Sequence, residues 1–276
     1  MTDLRIAFSP CPNDTFVFHA LVHGQVPGAP PFDVTYADVD VTNTAALDGR
    51  FDLVKVSYAA LPWLLDQYEL LPCGGALGRG CGPLVLVRDG SDISDLSGLT
   101  VAVPGERTTA YLLMRLWSAA RPPAAIEVVP FDKIMPGVAA GTWDAGLVIH
   151  EARFTYPTYG LTALADLGEW WEGDTGLPIP LGAILARRGA VDPAAATAWV
   201  RESVRQAWDA PGNTREYVMA HAQEMNPDVA AAHIKLYVND FTTNLGDEGY
   251  AAVNALLTRA ANEGLTPPTP RLTRLP

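Results

Sequence analysis

Apolar and polar positions alternate along the chain between short strand-like runs and longer segments with helical spacing. Leu4-Arg5-Ile6-Ala7-Phe8 reads as a strand and residues 15–22 as a helix, joined by Ser9-Pro10-Cys11-Pro12-Asn13-Asp14. The two prolines preset φ and exclude helix from the loop. Asn13 or Asp14 is placed to accept a hydrogen bond from an orphan N–H as the helix begins, and the remaining free N–H groups suit an anion. The same design returns later: residues 99–103 form a strand pattern, Pro104-Gly105-Glu106-Arg107-Thr108-Thr109 a loop, and residues 110–117 a helix. Each half then carries Gly-x-aromatic-Asp before a buried strand, at residues 49–52 and 141–144. The Gly suits a helix end and the aromatic-Asp pair the entry to a parallel strand. Such alternation predicts an α/β fold with parallel sheets. Right-handed crossovers place both loops at the carboxyl edges of their sheets, and two facing edges make a cleft.

The links between halves also read as strands. Pro83-Leu84-Val85-Leu86-Val87-Arg88 leads in, and Leu181-Gly182-Ala183-Ile184-Leu185-Ala186-Arg187 leads out. That predicts a discontinuous first lobe, residues 1–88 and 182–276, and a second lobe, residues 89–181. Helical spacing places C-terminal helices of the first lobe at 193–209, 213–224, 227–239 and 248–263. The Pro-rich stretch at 266–270 predicts extended surface chain.

Composition narrows the partners. Of 276 residues 49% are hydrophobic and 18% charged, with a formal net charge of -12. The hydrophobic share is ample for buried cores, while the acidic field disfavours nucleic acid and anionic membrane. A small anionic substrate stays compatible, since a cleft carries its own local field. No apolar run approaches the roughly 20 residues of a membrane helix, and the first residues lack a signal pattern, which predicts a cytoplasmic protein. Cys11, Cys73 and Cys81 are odd in number without metal-type spacing, so neither a disulfide nor zinc is expected.

His150 is the leading catalytic candidate, because it ends an apolar strand at the ligand edge and precedes Glu151, Arg153 and Tyr156. A neutral imidazole accepts a proton near neutral pH without a metal; a histidine hydrogen-bonded under a loop is the competing reading. His19 and His23 are spaced for two metal ligands, but no third is evident, so helix packing is favoured. His221 and His233 fall in the C-terminal helices and read as structural or exposed. Thr108 and Thr109 suit helix capping, and their hydroxyls also suit a carboxylate or polyol. Lys55 and Ser57 alternate on one strand face, where a buried lysine needs a carboxylate, an anion or solvent. The glycine-rich segment 73–82 lacks both nucleotide-binding fingerprints; close backbone packing, or Arg79 as an anion contact, explains it better. Cys11 reads as a lining thiol.

Taken together these segments resemble the 1,4-dihydroxy-6-naphthoate synthase family of the futalosine route to menaquinone. The resemblance rests on residues 9–16, Lys55-Val56-Ser57-Tyr58, Gly74-Gly75-Ala76-Leu77-Gly78-Arg79-Gly80, Thr108-Thr109-Ala110-Tyr111 and His150-Glu151-Ala152-Arg153-Phe154-Thr155-Tyr156-Pro157. It implies a two-lobe fold like type II periplasmic binding proteins, with a ligand cleft between lobes. It also implies a lyase without cofactors that converts cyclic dehypoxanthine futalosine to 1,4-dihydroxy-6-naphthoate and dihydroxyacetone. His150 would be the proton acceptor, and Lys55, Val56, Ser57, Thr108 and Thr109 the ligand contacts. Ser9, Cys11, Asn13, Arg79, Glu151 and Arg153 would line the cleft. A non-catalytic solute-binding protein and a sister lyase of the chorismate dehydratase type remain alternatives.

Overall fold

A computed structural model describes residues 3–222 and 226–274. The chain opens with β1 (Leu4–Phe8), α1 (Pro12–Val22), β2 (Phe32–Tyr36), α2 (Val39–Leu47), β3 (Leu53–Ser57), β4 (Tyr68–Leu70) and β5 (Ala76–Gly78). It then runs through β6 (Leu84–Arg88), β7 (Thr100–Val103), α3 (Thr109–Trp117), β8 (Ala125–Val128), α4 (Phe131–Ala139) and β9 (Ala145–Val148). After the short α5 (Ala152–Thr155) come β10 (Leu161–Asp166), α6 (Leu167–Thr175) and β11 (Ile179–Arg187). The rest is helical: α7 (Pro193–Asp209), α8 (Arg215–His221), α9 (Pro227–Tyr237), α10 (Asp240–Thr243) and α11 (Gly246–Asn262). The helix expected over 213–224 is a 3-10 turn followed by α8, and its residues 223 and 224 lie outside the described residues.

Two sheets result. The first has the order β2-β1-β3-β11-β4, with β5 paired to β11, and the second the order β10-β6-β9-β7-β8. Within each, the strands of the repeated unit are parallel: β1 with β2 and β3, and β7 with β8 and β9. The linking strands β6 and β11 run antiparallel to β9 and β3. Because β6 hydrogen-bonds only into the second sheet, the chain changes sheets between residues 78 and 84, not after 88. It returns by residue 179, where β11 starts beside β5.

The Gly-x-aromatic-Asp repeat has one structural explanation in both halves. Gly49 (φ 63°) and Gly141 (φ 78°) turn the chain at the ends of α2 and α4 in the left-handed region that glycine enters without a Cβ clash. Asp52 then donates its N–H to the Arg5 carbonyl at 2.8 Å and accepts the Arg5 N–H on its carboxylate at 2.9 Å. Asp144 does the same with Thr100, whose N–H reaches the Asp144 carboxylate at 2.9 Å. Each aspartate thereby satisfies the first strand of its own half and sets the register of the parallel strand that follows. Asp52 also receives Arg187 from β11 at 2.6 Å, which ties the returning strand into the first sheet.

β3 is buried along its whole length, as a central strand covered on both faces requires. One core layer packs Phe8, Phe16, Phe18, Leu53 and Ile184 under α1 and α7; another packs Leu86, Ala102, Ile134, Val138 and Val148 under α4. Fully buried Trp171, on α6, donates its indole N–H to the Pro178 carbonyl at 3.1 Å just before β11. Among the described residues no helix is long and apolar enough to cross a membrane.

Candidate functional site

The carboxyl edges of the two sheets face each other across a narrow cleft lined by Ser9, Asp14, Lys55, Ser57, Thr108 and His150, together with Asn13, Thr109, Gly182 and Tyr237. The loop from β1 to α1 forms one wall. Its helix begins at Pro12, with Cys11 at the capping position, three residues before the predicted start at residue 15, because proline's missing N–H costs nothing in a first turn. Asp14 therefore does not cap the helix. Its carboxylate turns back to accept Ser9 N–H at 3.3 Å, Ser9 Oγ at 2.7 Å and the Asn13 amide at 2.8 Å.

Lys55 completes this cluster from β3 as an ion pair with Asp14, both side chains being nearly inaccessible. Alternation on β3 places Lys55 and Ser57 toward the cleft. Val56 falls on the opposite face in the hydrophobic core, so its side chain does not line the cleft as expected. Asn43, on α2, holds Ser57 on two sides: its Oδ1 accepts Ser57 N–H at 2.8 Å and its Nδ2 donates to Ser57 Oγ at 3.1 Å. The same amide donates to the Arg107 carbonyl on the second half at 3.3 Å.

The facing wall comes from the loop before α3. Thr108 caps α3, accepting Tyr111 N–H at 3.1 Å and donating to the Gly105 carbonyl at 2.8 Å. Thr109 has a different task. Its hydroxyl donates to the Leu181 carbonyl at 2.8 Å and accepts Ala59 N–H at 3.2 Å, so it bridges the two sheets. Gly182 follows Leu181 and pairs with Ser57; a Cβ there would lie 2.9 Å from Lys55 Cε. Gly182→Ala is expected to push Lys55 off its seat. Turnover should fall on the order of 10²-fold, as misplacement by an ångström costs, while urea unfolding shows a loss of about 1–3 kcal/mol. Unchanged kinetics with a folded variant would show that the Lys55 position is immaterial.

His150 lies two residues past the end of β9 and, among the described residues, is the one non-glycine with positive φ, at 54°. That backbone costs about 1–3 kcal/mol and persists where the surroundings hold it. Phe131 meets the imidazole edge-on at 5.6 Å, and the His233 ring stacks beside it at 6.3 Å. Burial pushes its pKa down to about 4, with Asp14 acting to raise it and Lys55 to lower it. The imidazole is thus neutral across physiological pH. A second groove shares His150, Ile149 and Val39 with the cleft and continues past Asp38, Asp40, Val41 and Phe131. Burial raises both Asp38 and Asp40; Asp132 adds to the effect at Asp38, while Arg107 opposes it at Asp40. The cleft therefore has an acidic mouth.

Other expected lining residues point elsewhere. Cys11 is buried beneath the loop, and burial followed by nearby Glu151 holds its thiol well above the ordinary range, so it is no nucleophile. Arg79 turns outward after β5, pairing with Glu248 at 2.7 Å and donating to the Gly176 carbonyl at 3.0 Å; it is no anion contact in the cleft. Arg153 is held by Asp166 at 2.5 Å and the Gly82 carbonyl at 2.8 Å. Glu151 is buried behind His150 rather than in the wall. His19 and His23 pack on Tyr217 in one helical turn, and among the described residues no group of three or more His, Cys, Asp or Glu side chains is arranged for a metal.

Asp14, Asn43, Tyr237 and His233 belong to the site or its support without having been singled out for it from sequence. Lys55 carried the signal for Asp14, since a lysine on an inward strand face demands a carboxylate. His233 carried none: one histidine at helical spacing looks the same whether buried or exposed. It is fully buried, and its Nε2 lies 2.9 Å from Asn13 Oδ1.

A family model described as menaquinone biosynthesis matches residues 4–262. A 1,4-dihydroxy-6-naphthoate synthase of Streptomyces coelicolor is 64% identical over 269 residues, covering 96% of this chain and 95% of its own. One of Thermus thermophilus is 49% identical over 278 residues, covering 98% of each. Among solved structures, a Candida albicans gene product described as exhibiting the generic periplasmic binding protein fold superposes with a TM-score of 0.71 at 11% identity, covering 95% of this chain and 91% of that one. The two-lobe architecture, with its cleft between lobes, is that fold.

Proposed function

This chain belongs to the menaquinone-biosynthesis family, and from that premise we propose that it is a carbon–carbon lyase that converts cyclic dehypoxanthine futalosine to 1,4-dihydroxy-6-naphthoate and dihydroxyacetone. The observation that carries the reading is His150, a neutral imidazole held in a strained left-handed backbone where the cleft meets a second groove. A base placed there divides a bound molecule into two halves. The imidazole removes a proton beside a carbonyl, and the resulting enolate expels the sugar-derived fragment as the carbon–carbon bond breaks. The imidazolium returns its proton to the departing fragment. Aromatisation of the second ring supplies the driving force, so the enzyme has to position one base and stabilise charge on oxygen.

Electrostatics favours one orientation. Asp38 and Asp40 at the mouth repel a carboxylate, whereas Ser57, Lys55 and the first N–H groups of α3 stand on the inner side. The aromatic acid belongs inward and the hydroxylated fragment outward, where carboxylates accept from its hydroxyls. The deciding test is incubation of the dialysed protein with the cyclic compound in the presence of a chelator, following naphthoate by absorbance and dihydroxyacetone by mass. Stoichiometric appearance of both supports the lyase. Tight binding without turnover would instead favour a solute-binding protein and overturn the proposal.

A further inference from the structure

Most hydroxyls lining the cleft have already given their proton to the protein. Ser9 donates to Asp14, Thr108 to the Gly105 carbonyl and Thr109 to the Leu181 carbonyl. Among the described residues Ser57 accepts from Asn43 but donates to none. Tyr237 is the other exception. It lies in the last turn of α9, is 7% exposed, and its hydroxyl makes no hydrogen bond among the described residues. A hydroxyl so buried is costly to leave unpaired, and a ligand atom can supply the partner. The surroundings indicate which atom. α9 packs against β5, which puts Tyr237 beside Ala76 and within the field of Cys81, on the segment by which the chain leaves the first sheet. Ala76 pairs with Gly182 of the returning strand, and Pro83 and Leu181 continue the same lining. These residues are small or apolar, so this end of the cleft suits the flat face of a ring, with the phenol in reach of one ring oxygen.

We propose that Tyr237 is a catalytic residue whose hydroxyl donates to the ring oxygen on which negative charge develops as His150 takes its proton. That oxygen is a carbonyl in the substrate and a naphthol oxygen in the product. The chemistry rests on the lyase reading; the contact with a ring oxygen does not. The phenol keeps its proton throughout, and its hydrogen bond strengthens as the acceptor gains charge. Burial, followed by Cys81 and with Arg153 opposing, raises the Tyr237 pKa above that of an ordinary phenol, so the side chain stays a donor across the working pH range. The His233 ring packs against Tyr237 at 4.5 Å and against His150 at 6.3 Å, so donor and base share one support. Lys55, Ser57 and the first N–H groups of α3 remain for the carboxylate, which is charged from the outset. A neutral phenol instead matches an oxygen whose charge appears only in the reaction, where such a donor has its largest effect.

The test compares full-length wild type with Tyr237→Phe, which removes the hydroxyl and keeps the ring. Binding is measured by calorimetry under argon with two probes, 1,4-dihydroxy-6-naphthoate and 2-naphthoate, which has the same rings and carboxylate but no ring oxygen. Tyr237→Phe is expected to weaken the dihydroxy compound by about three- to tenfold and to leave 2-naphthoate unchanged. With the cyclic substrate kcat should fall by about 10²-fold, more than binding does, with KM rising no further than the binding loss. Urea unfolding should show no loss of stability, because the hydroxyl bonds to nothing in the protein. Tyr250→Phe, which deletes a buried hydroxyl outside the cleft lining, is the control and should alter neither binding nor turnover. Equal weakening of both naphthoates, an undiminished preference for the dihydroxy compound, or a native kcat in Tyr237→Phe each overturns the proposal. A native protein that shows the Tyr237-dependent preference yet fails to turn over the cyclic compound would sink the lyase reading and leave the contact standing. Binding of neither naphthoate would sink the contact whatever the turnover.

Discussion

His150→Asn is expected to lower kcat by about 10²–10⁴-fold, the usual contribution of a positioned base, while naphthoate binding changes little. Asparagine is the informative replacement, because it tolerates the left-handed backbone at φ 54° and keeps a polar side chain in the cleft, yet cannot take up a proton. The wild-type pH profile gives an independent reading. A solvated histidine would lose its basic form as pH falls through about 6.5, but burial of His150 places the transition at about 4. Acid-side activity should therefore persist through pH 5 and fall toward pH 4, with circular dichroism at each pH separating loss of base from loss of fold. A profile that breaks near 6.5, or an asparagine variant at the native rate, would remove His150 from the role of base.

Lys55→Met is expected to destabilise the protein by about 3–5 kcal/mol, the cost of stranding one member of a buried ion pair. Asp14 would keep its Ser9 and Asn13 donors but lose the cation that, among the described residues, reaches it, at a position almost closed to water. Asp14→Asn should cost a similar amount, for the mirror reason. Combining the two removes both charges, and the double variant is expected to recover much of the loss. Urea unfolding of the four proteins measures the coupling directly. Strict additivity of the two single effects would mean that the pair is screened, contrary to its burial. Activity should not recover with stability, because Ser9, Asp14 and Lys55 together shape the cleft floor.

Much of the architecture can be read from local pattern because local chemistry sets it. The Gly-x-aromatic-Asp repeat encodes a helix end, a strand entry and a register in four residues, and Asp52 and Asp144 carry out those tasks identically. The apolar runs at 83–88 and 181–187 announce the two crossings, although which sheet claims β6 depends on its partner strands and not on its own composition. His150 was marked by its position at a strand end. What escaped was set by contacts distant in sequence. The Asn13–His233 bond joins residues 220 positions apart and exists because α9 docks beside α1. Thr109 bridging the sheets, and Arg79 turning toward α6 and α11, are likewise products of assembly. Val56 differs, since strand alternation already set it opposite Lys55 and Ser57; the family resemblance alone had assigned it to ligand.

The Thr109 hydroxyl has a thermodynamic consequence for how the protein meets its ligand. It bonds both sheets, and the Asn43 amide likewise joins the two halves. Each of these bonds favours the closed form, and a newcomer encounters an entrance that is open for only a fraction of the time. Observed affinity is weakened by that fraction, however good the fit inside. Removing the bridge with Thr109→Val would then tighten apparent binding and quicken capture even as the closed state loosens. In such a protein, selectivity resides partly in waiting time: molecules that leave faster than the door closes are never processed.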